Sequence, residues 1–503
     1  MRVRIEPVST RQTPESLGSE LRGEPGLVVL RTAQFDVQSA RYSFVGARPL
    51  LTFRSFGTYC ETFGPNLPNR RQFGNPWEIL RTWLEKFELL EESEHAFPLG
   101  GVFGYWAYEL KQFVEPRLTR RAINDLELPD CHLGFHASLV VFDHASRETW
   151  IVATGLTADG QRTEEQAEDQ IEWWRERLMR PPGISKASVN SDPIRRAVNG
   201  PWVSSLSREA FLAAVHRAQT YIRAGDIYQV NLAHRLTATG AGDAWDLYRR
   251  LLLTSPAPFS AYYDAGTFGL VSSSPELFLR LRGSDIVTRP IKGTRPRSSN
   301  TTQDQRWREE LLASEKERSE LVMITDLLRN DLGRVCTYGS IRVPDLFHLE
   351  QFPQVQHLVS TVIGQLRPEI THLDALAACF PGGSITGAPK IRALEIIDEL
   401  EPVARGPYCG CHGYLGFNRE SQLSITIRTA VVRDQQAWFH VGAGIVADSI
   451  PEAEYEETLA KARGLLAALA ESPLEETADA VPGFNGHASI DHESLAPLTD
   501  ADP

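Results

Sequence analysis

The chain is poor in cysteine: six in 503 residues, Cys60, Cys131, Cys336, Cys379, Cys409 and Cys411, most of them far apart. That spacing excludes a disulfide-stapled scaffold and fits reduced thiols in a cytoplasmic protein. No apolar run reaches the 18 or so residues of a membrane helix, and the opening MRVRIEPVSTRQTPES has no signal-peptide stretch. Acidic residues outnumber basic ones 65 to 52, for a net charge of -13, so neither a membrane nor a nucleic-acid partner is expected. Walker and dinucleotide spacings are absent, as are internal repeats, and nucleotide binding is disfavoured. With 42% hydrophobic and 23% charged residues, what remains is a folded enzyme-like chain. Its length allows up to three domains or one large body.

Composition divides the chain. Residues 181–206 are rich in Pro, Gly, Ser and Asn without periodicity and read as a linker closing an N-terminal lobe of residues 1–180. From Glu471 to Pro503 there are eight acidic residues and no Lys or Arg, the mark of a solvated, disordered tail. Between them lies a second folded part, residues 207–470, which carries the candidate residues taken up below. Helical spacing covers Pro76 to Leu90 and, behind the N-cap candidate Ser207, Phe211 to Ile222. Strand patterns occupy Arg41–Gly46, Leu139–Phe142, Ile227–Leu232, Leu423–Val432 and Trp438–Val441. Several strands are joined by short turns, so antiparallel sheets are favoured over a doubly wound one.

A long helix starting near Gln305 carries Glu317 and Glu320 at i,i+3, and a second, PEAEYEETLAKARGLLAALA, carries Glu454 and Glu457 at the same spacing. Two such pairs could converge on a hard dication. Taken alone, glutamates at this spacing more often lie on a solvated face. Lys292, at a strand end in Pro290-Ile-Lys-Gly-Thr294, is a nucleophile candidate beside Arg289, Arg295 and Arg297. Those arginines read by default as exposed loop charges. Glu276 in SSSPE is a general-acid candidate whose default role is a cap or salt bridge. The stretch Phe380 to Lys390 precedes an amphipathic helix, and Gly442-Ala443-Gly444 reads as a second turn with exposed backbone. Cys409-Gly-Cys411-His412 lacks a companion Cys/His pair and reads as a turn rather than a zinc knuckle.

Taken together, the blocks GDIYQVNLAHR, SSSPELF, TRPIKGTRPR, SEKERSELVMITDLLRNDLGRV, HLVSTVIG, FPGGSITGAPKIRALEII, RGPYCGCHGYLGF, SITIRTAVV and GAGIVADSIPEAEYEETLAKA resemble the chorismate-utilising enzymes. The resemblance is to the anthranilate synthase component I and aminodeoxychorismate synthase component I branches. It covers Ser207 to about Leu469, with looser matches in ARYSFVGARP and GGVFGYWAYEL. It implies a single α+β body of two packed antiparallel sheets with outer helices. It also implies a Mg²⁺ cluster of Glu317, Glu320, Glu454 and Glu457 that holds the ring carboxylate of chorismate. Substrate contacts fall on His357, Ser384, Tyr408, Arg428 and the backbone of Gly442, Ala443 and Gly444.

Side-chain choices point within the family. Gln229 stands where water-using relatives carry a lysine base, so ammonia is the expected nucleophile. Lys292 resembles the aminodeoxychorismate synthases, in place of the alanine usual in anthranilate synthases. In that reading Lys292 attacks ring C2, Glu276 protonates the leaving C4 hydroxyl, and ammonia then displaces the lysine at C4. The expected product is 4-amino-4-deoxychorismate, for 4-aminobenzoate and folate synthesis; anthranilate plus pyruvate is the alternative. No G-x-C-x-G elbow is present, so a separate glutamine amidotransferase subunit is the expected ammonia source, and no room is left for a fused lyase. Val29-Leu-Arg-Thr32 replaces the LLES of tryptophan-inhibited relatives, so tryptophan feedback is not expected.

Overall fold

A computed structural model describes residues 2–33, 40–90, 95–182, 202–298, 300–352 and 355–470. Residues 183–201 of the linker stretch and the acidic tail lie outside the described residues. Two sheets of twelve strands each dominate, and all the pairings between named strands are antiparallel. Eleven α-helices are present among the described residues.

The two halves of the sequence share both sheets. In the first sheet the N-terminal strand Val28–Arg31 pairs with Phe259–Asp264. In the second, Gly101–Trp106 pairs with Cys411–Gly416. The boundary near residues 181–206 therefore marks the sequence and not the sheets, and Val203–Ser204, inside the predicted linker, already pairs with Leu236 and Thr237. A large core fills the space between the sheets, including Phe53, Trp106, Phe135, Phe278 and Leu423. A second core, with Trp174, Trp245, Tyr248 and Leu465, joins the first sheet to the helices Glu164–Met179, Ala244–Thr254 and Pro451–Ala470. The strand Gln229–Thr239 is consequently buried along almost its whole length, which erases the alternation expected of a half-exposed strand.

Local signals explain several element ends. Ser207 caps Arg208–Arg223 by accepting from the Ala210 N–H, and Gly225 at φ +81° follows its end. Three sequence expectations need correction. The helix from Pro76 stops at Leu84. The helix expected from Gln305 is two helices, Thr301–Ala313 and Glu315–Gly333, divided at Ser314, whose extended backbone and hydroxyl cap the second one. The apolar run Leu423–Val432 is two strands: Glu420–Ile425 belongs to the second sheet and Thr429–Arg433 to the first. The chain crosses between sheets at Thr426–Arg428, and Arg428 takes φ +50°, a backbone region rare outside glycine.

Candidate active site

Two crossings between the sheets build the site. The strand Gly269–Ser274 lies in the first sheet and Leu277–Arg282 in the second, so Pro275-Glu276 bridges them just as Thr426–Arg428 does. The bridges are tied together: Ser274 Oγ donates to the Ile425 carbonyl (2.6 Å), the Ile425 N–H to the Glu276 carbonyl (3.1 Å), and the Ser273 N–H to the Arg428 carbonyl (3.1 Å). The two candidate side chains, Glu276 and Arg428, thus sit where the backbone leaves one ladder for another, positions that an apolar strand pattern hides.

Lys292 lies on the strand Ile291–Pro296, opposite Leu358, with a bulge at Gly293. Gly293 has φ +72°, and a Cβ there would stand 2.6 Å from Leu311 and 3.1 Å from the Glu317 carboxyl, so glycine is what admits the helices Thr301–Ala313 and Glu315–Gly333 at this point. The Lys292 amine is 3.5 Å from Glu320 Oε2. It also borders the first sheet: a Cβ on Gly444 would lie 3.3 Å from Gln229 Nε2 and 3.7 Å from Lys292 Nζ. Gln229 is fully buried and neither of its amide atoms has a hydrogen-bond partner within the protein. A buried amide with neither atom bonded is uncommon in a folded protein, and this one lies beside an amine.

Glu276 is 6% exposed, and Ser384 Oγ donates to its Oε1 at 2.5 Å. Burial pushes this carboxyl up to about 7, against the opposing effects of the Ser384 hydrogen bond and the charges of Lys292 and Lys461. It is therefore protonated in part at neutral pH, as a proton donor must be. His357 shares a 2.9 Å hydrogen bond with Thr294 Oγ1, and burial together with the Arg428 charge takes its pKa down to about 3, so the ring is neutral. Burial also pulls the Arg428 guanidinium below its ordinary value.

Gly442, Ala443 and Gly444 belong to the strand Gln436–Ile445, paired with Ala233, Leu232 and Asn231, and are not the turn expected from the sequence. A Cβ on Gly442 would come 2.9 Å from the Tyr408 hydroxyl, and Tyr408 stacks on His440 at 5.1 Å. A fully buried ion pair supports this wall. Arg405 binds Glu401 at 2.7 Å and donates to the carbonyls of Asn231 and Ile385, while Glu401 accepts from the Ala233 N–H. The Cys409–His412 segment holds no metal knuckle. Cys409 is at φ +62°, Cys411 opens a strand, and His412 bonds Ser424 and Thr426.

The four glutamates are brought to one region at the starts of two helices. Glu317 and Glu320 lie in the first two turns of Glu315–Gly333, and Glu454 and Glu457 in the first two of Pro451–Ala470. Each rests on a cation: Glu317 on Arg295 (3.6 Å), Glu320 on Lys292 (3.5 Å), Glu454 on Lys316 (3.8 Å) and Glu457 on Lys461 (2.8 Å). Burial, then the charge of Glu320, pushes Glu317 up; burial, then Glu457, does the same to Glu454. Burial acts upward on Glu457 too, but Lys461, Lys316 and Lys292 outweigh it and its pKa falls. Among the described residues no three His, Cys, Asp or Glu side chains are close enough together to enclose an ion.

Of the three arginines near Lys292, only Arg295 faces a candidate ligand; Arg289 pairs with Glu350 and Arg297 with Asp304. Lys316 and Lys461 escaped the sequence reading. Lys461 donates to the Gly442 carbonyl at 2.9 Å, and its i+4 spacing from Glu457 was the available signal.

A family model for chorismate-binding enzymes matches residues 56–467. The chain belongs to that family. Anthranilate synthase component 1 of Thermus thermophilus is 43% identical over 435 residues, 86% of this chain and 90% of that protein. Aminodeoxychorismate synthase component 1 of Klebsiella aerogenes is 38% identical over 449 residues, 89% of this chain and 94% of that one. The crystal structure of anthranilate synthase component I from Streptococcus pneumoniae matches with a TM-score of 0.74 at 30% identity, covering 86% of this chain and 93% of that one. As a chorismate-binding enzyme the chain has the α+β architecture of two large antiparallel sheets that the resemblance implied. Both kinds of relative are present, and they do not divide between the two products. No described helix is long and apolar enough to cross a membrane.

Proposed function

We propose that this enzyme aminates chorismate at C4, giving 4-amino-4-deoxychorismate, with ammonia from a separate glutamine amidotransferase subunit. The observation that carries the reading is the meeting of one amine, Lys292, and one buried acid, Glu276, beside the buried amide of Gln229, which by the family resemblance stands in place of a water-activating lysine. Lys292, as the free amine, forms a bond to ring C2 while both ring double bonds shift and the C4–O bond breaks. Glu276 gives its proton to the departing oxygen, and water leaves. Ammonia then bonds to C4, both double bonds shift back, the C2–N bond breaks to release Lys292 as the free amine, and the new C4 ammonium returns a proton to Glu276. Arg428 is the partner for the enolpyruvyl carboxylate, where its guanidinium offers two parallel donors. The strand Gly442–Gly444 has no side chain larger than methyl, which lets a flat ring lie against the backbone.

By the chemistry of its donors the set suits Mg²⁺, although its carboxylates now rest on cations and do not form a closed cluster. Glu317, Glu320, Glu454 and Glu457 are hard oxygen ligands, and the like charges that lift Glu317 and Glu454 are what a dication relieves. When bound there, the ion would neutralise substrate charge and polarise the ring carboxylate. The basic side chains now on the glutamates are the counter-ions it would replace.

A second reading, release of anthranilate and pyruvate, is favoured by the Thermus relative. Mass spectrometry of the product formed from chorismate, Mg²⁺ and ammonium separates the two. Accumulation of 4-amino-4-deoxychorismate supports amination at C4, and anthranilate as the sole product overturns it.

A further inference from the structure

Ser384 was expected to touch substrate, but its hydroxyl is already committed to Glu276. It lies in a single 3₁₀ turn, Gly383–Ile385, and the two glycines before it explain how it gets there. A Cβ on Gly382 would meet Ile425 at 2.7 Å and Phe278 at 3.4 Å, and one on Gly383 would meet Leu327 at 2.7 Å. The turn is therefore wedged between the helix Glu315–Gly333 and the strands that flank the Glu276 crossing. It is pinned from the other side as well. Thr386 Oγ1 donates to the Gly382 and Gly383 carbonyls, Arg405 to the Ile385 carbonyl, and the Asn231 N–H to the Thr386 carbonyl. Ser384 is 9% exposed.

A hydroxyl has one proton to give, and here it goes to Oε1 of Glu276. An oxygen that accepts a hydrogen bond is the poorer place for the carboxyl's own proton. Resting on the reading of Glu276 as the acid, we propose that Ser384 is its positioning residue: it fixes the carboxyl plane and leaves the transferable proton on Oε2. The other ionisable groups that act on this carboxyl are Lys292 from the strand Ile291–Pro296, Lys461 from the helix Pro451–Ala470, and Cys409 from the turn before Cys411. Burial takes the Cys409 thiol up to about 12, so it stays neutral, and the two lysines are unchanged by substitution at 384.

The test compares Ser384→Ala with Ser384→Thr, which keeps a hydroxyl. Removing a hydrogen bond to a carboxylate disfavours its charged form, so the alkaline limb of kcat should move up by about one pH unit in the alanine variant. On the acid side of that limb, where the carboxyl is protonated in both proteins, kcat should fall through loss of its alignment with KM for chorismate unchanged, and threonine should restore both limb and rate. An alanine variant with the wild-type limb and kcat overturns the proposal, as does a change confined to KM, which would make Ser384 a substrate contact. Denaturant unfolding of the same variants reads Glu276 without any reaction. The alanine variant should lose stability at pH 9 relative to pH 5 more than wild type does. If that loss appears but chorismate is not aminated, the placement of Ser384 stands and the reaction assignment fails. Equal losses in both proteins remove the contact itself.

Discussion

Replacing Glu276 with Gln should make the protein more stable in alkali while disabling it. The carboxyl is pushed by burial from its ordinary 4.5 up to about 7, so folding favours its protonated form. Each pH unit between the free and buried values is worth about 1.4 kcal/mol, so the ionised carboxylate costs the fold about 3 kcal/mol. The sign follows from the raised folded-state value. Below about pH 4.5 the group is neutral in both states and contributes no penalty. As the pH rises through 7 the favourable contribution of binding a proton in the folded state is lost. Glutamine has no charge to lose and keeps an oxygen to accept from Ser384. At pH 5 the two proteins should agree within about 1 kcal/mol, and by pH 9 the variant should lead by about 2–3 kcal/mol. Urea titrations followed by fluorescence of the ten tryptophans give the comparison. Glu420, which burial also takes up to about 7, titrates identically in both proteins and cancels. The variant's kcat should fall by about 100-fold or more, the usual contribution of a positioned acid. Stability curves that run parallel from pH 5 to pH 9 would falsify the buried-acid argument, whatever the activity does.

Two further substitutions probe the other halves of the site. Lys292→Ala should suppress the C4-aminated product and divert turnover toward anthranilate, read by mass spectrometry; an unchanged product at an unchanged rate removes the amine from the mechanism. Glu457→Gln should weaken Mg²⁺ binding by about tenfold or more through loss of a ligand charge, measured by calorimetric titration. A metal isotherm identical to wild type would take Glu457 out of the ligand set.

The fold was readable where the family blocks ran through it, and local chemistry was readable where one residue decides. Ser207 and Gly225 bound their helix as their types predict, because a cap depends on a few neighbours and nothing distant. The misses share a cause. Leu423–Val432 is apolar throughout, since the parts on either side of the crossing are buried in different sheets, and hydropathy cannot show a chain changing layers. The break at Ser314 was equally hidden, because Ser is tolerated within a helix and only its capping bond shows that a new one begins. The glutamate pairs were visible as spacing, whereas the basic residues on Glu317, Glu320 and Glu454 depend on how two helices and a strand meet; only Lys461, four residues past Glu457 on its own helix, was open to a reading from spacing. Ser384 shows the same limit: its motif marked it as part of the site, but which group it serves is set by the fit of Gly382 and Gly383 against side chains more than forty residues away.

The charges gathered at the site account for its likeness to an ion-exchange chamber. Five acids, Glu276, Glu317, Glu320, Glu454 and Glu457, meet five bases, Lys292, Arg295, Lys316, Lys461 and Arg428, so the region is close to neutral before anything binds. Chorismate arrives with two carboxylates. Admitting it alone would leave negative charge in a desolvated space, which is costly unless paired. On the proposed reading, Glu317, Glu320, Glu454 and Glu457 would hold a magnesium ion that offsets that charge, and Glu320 would then be shared between the ion and Lys292. The residue read as the nucleophile thus rests on a candidate metal ligand, so a cation held by Glu320 would weaken the grip of that carboxylate on the amine. A second basic residue at position 229 would upset this balance as well as the choice of nucleophile, and the neutral, unpartnered Gln229 fits both requirements.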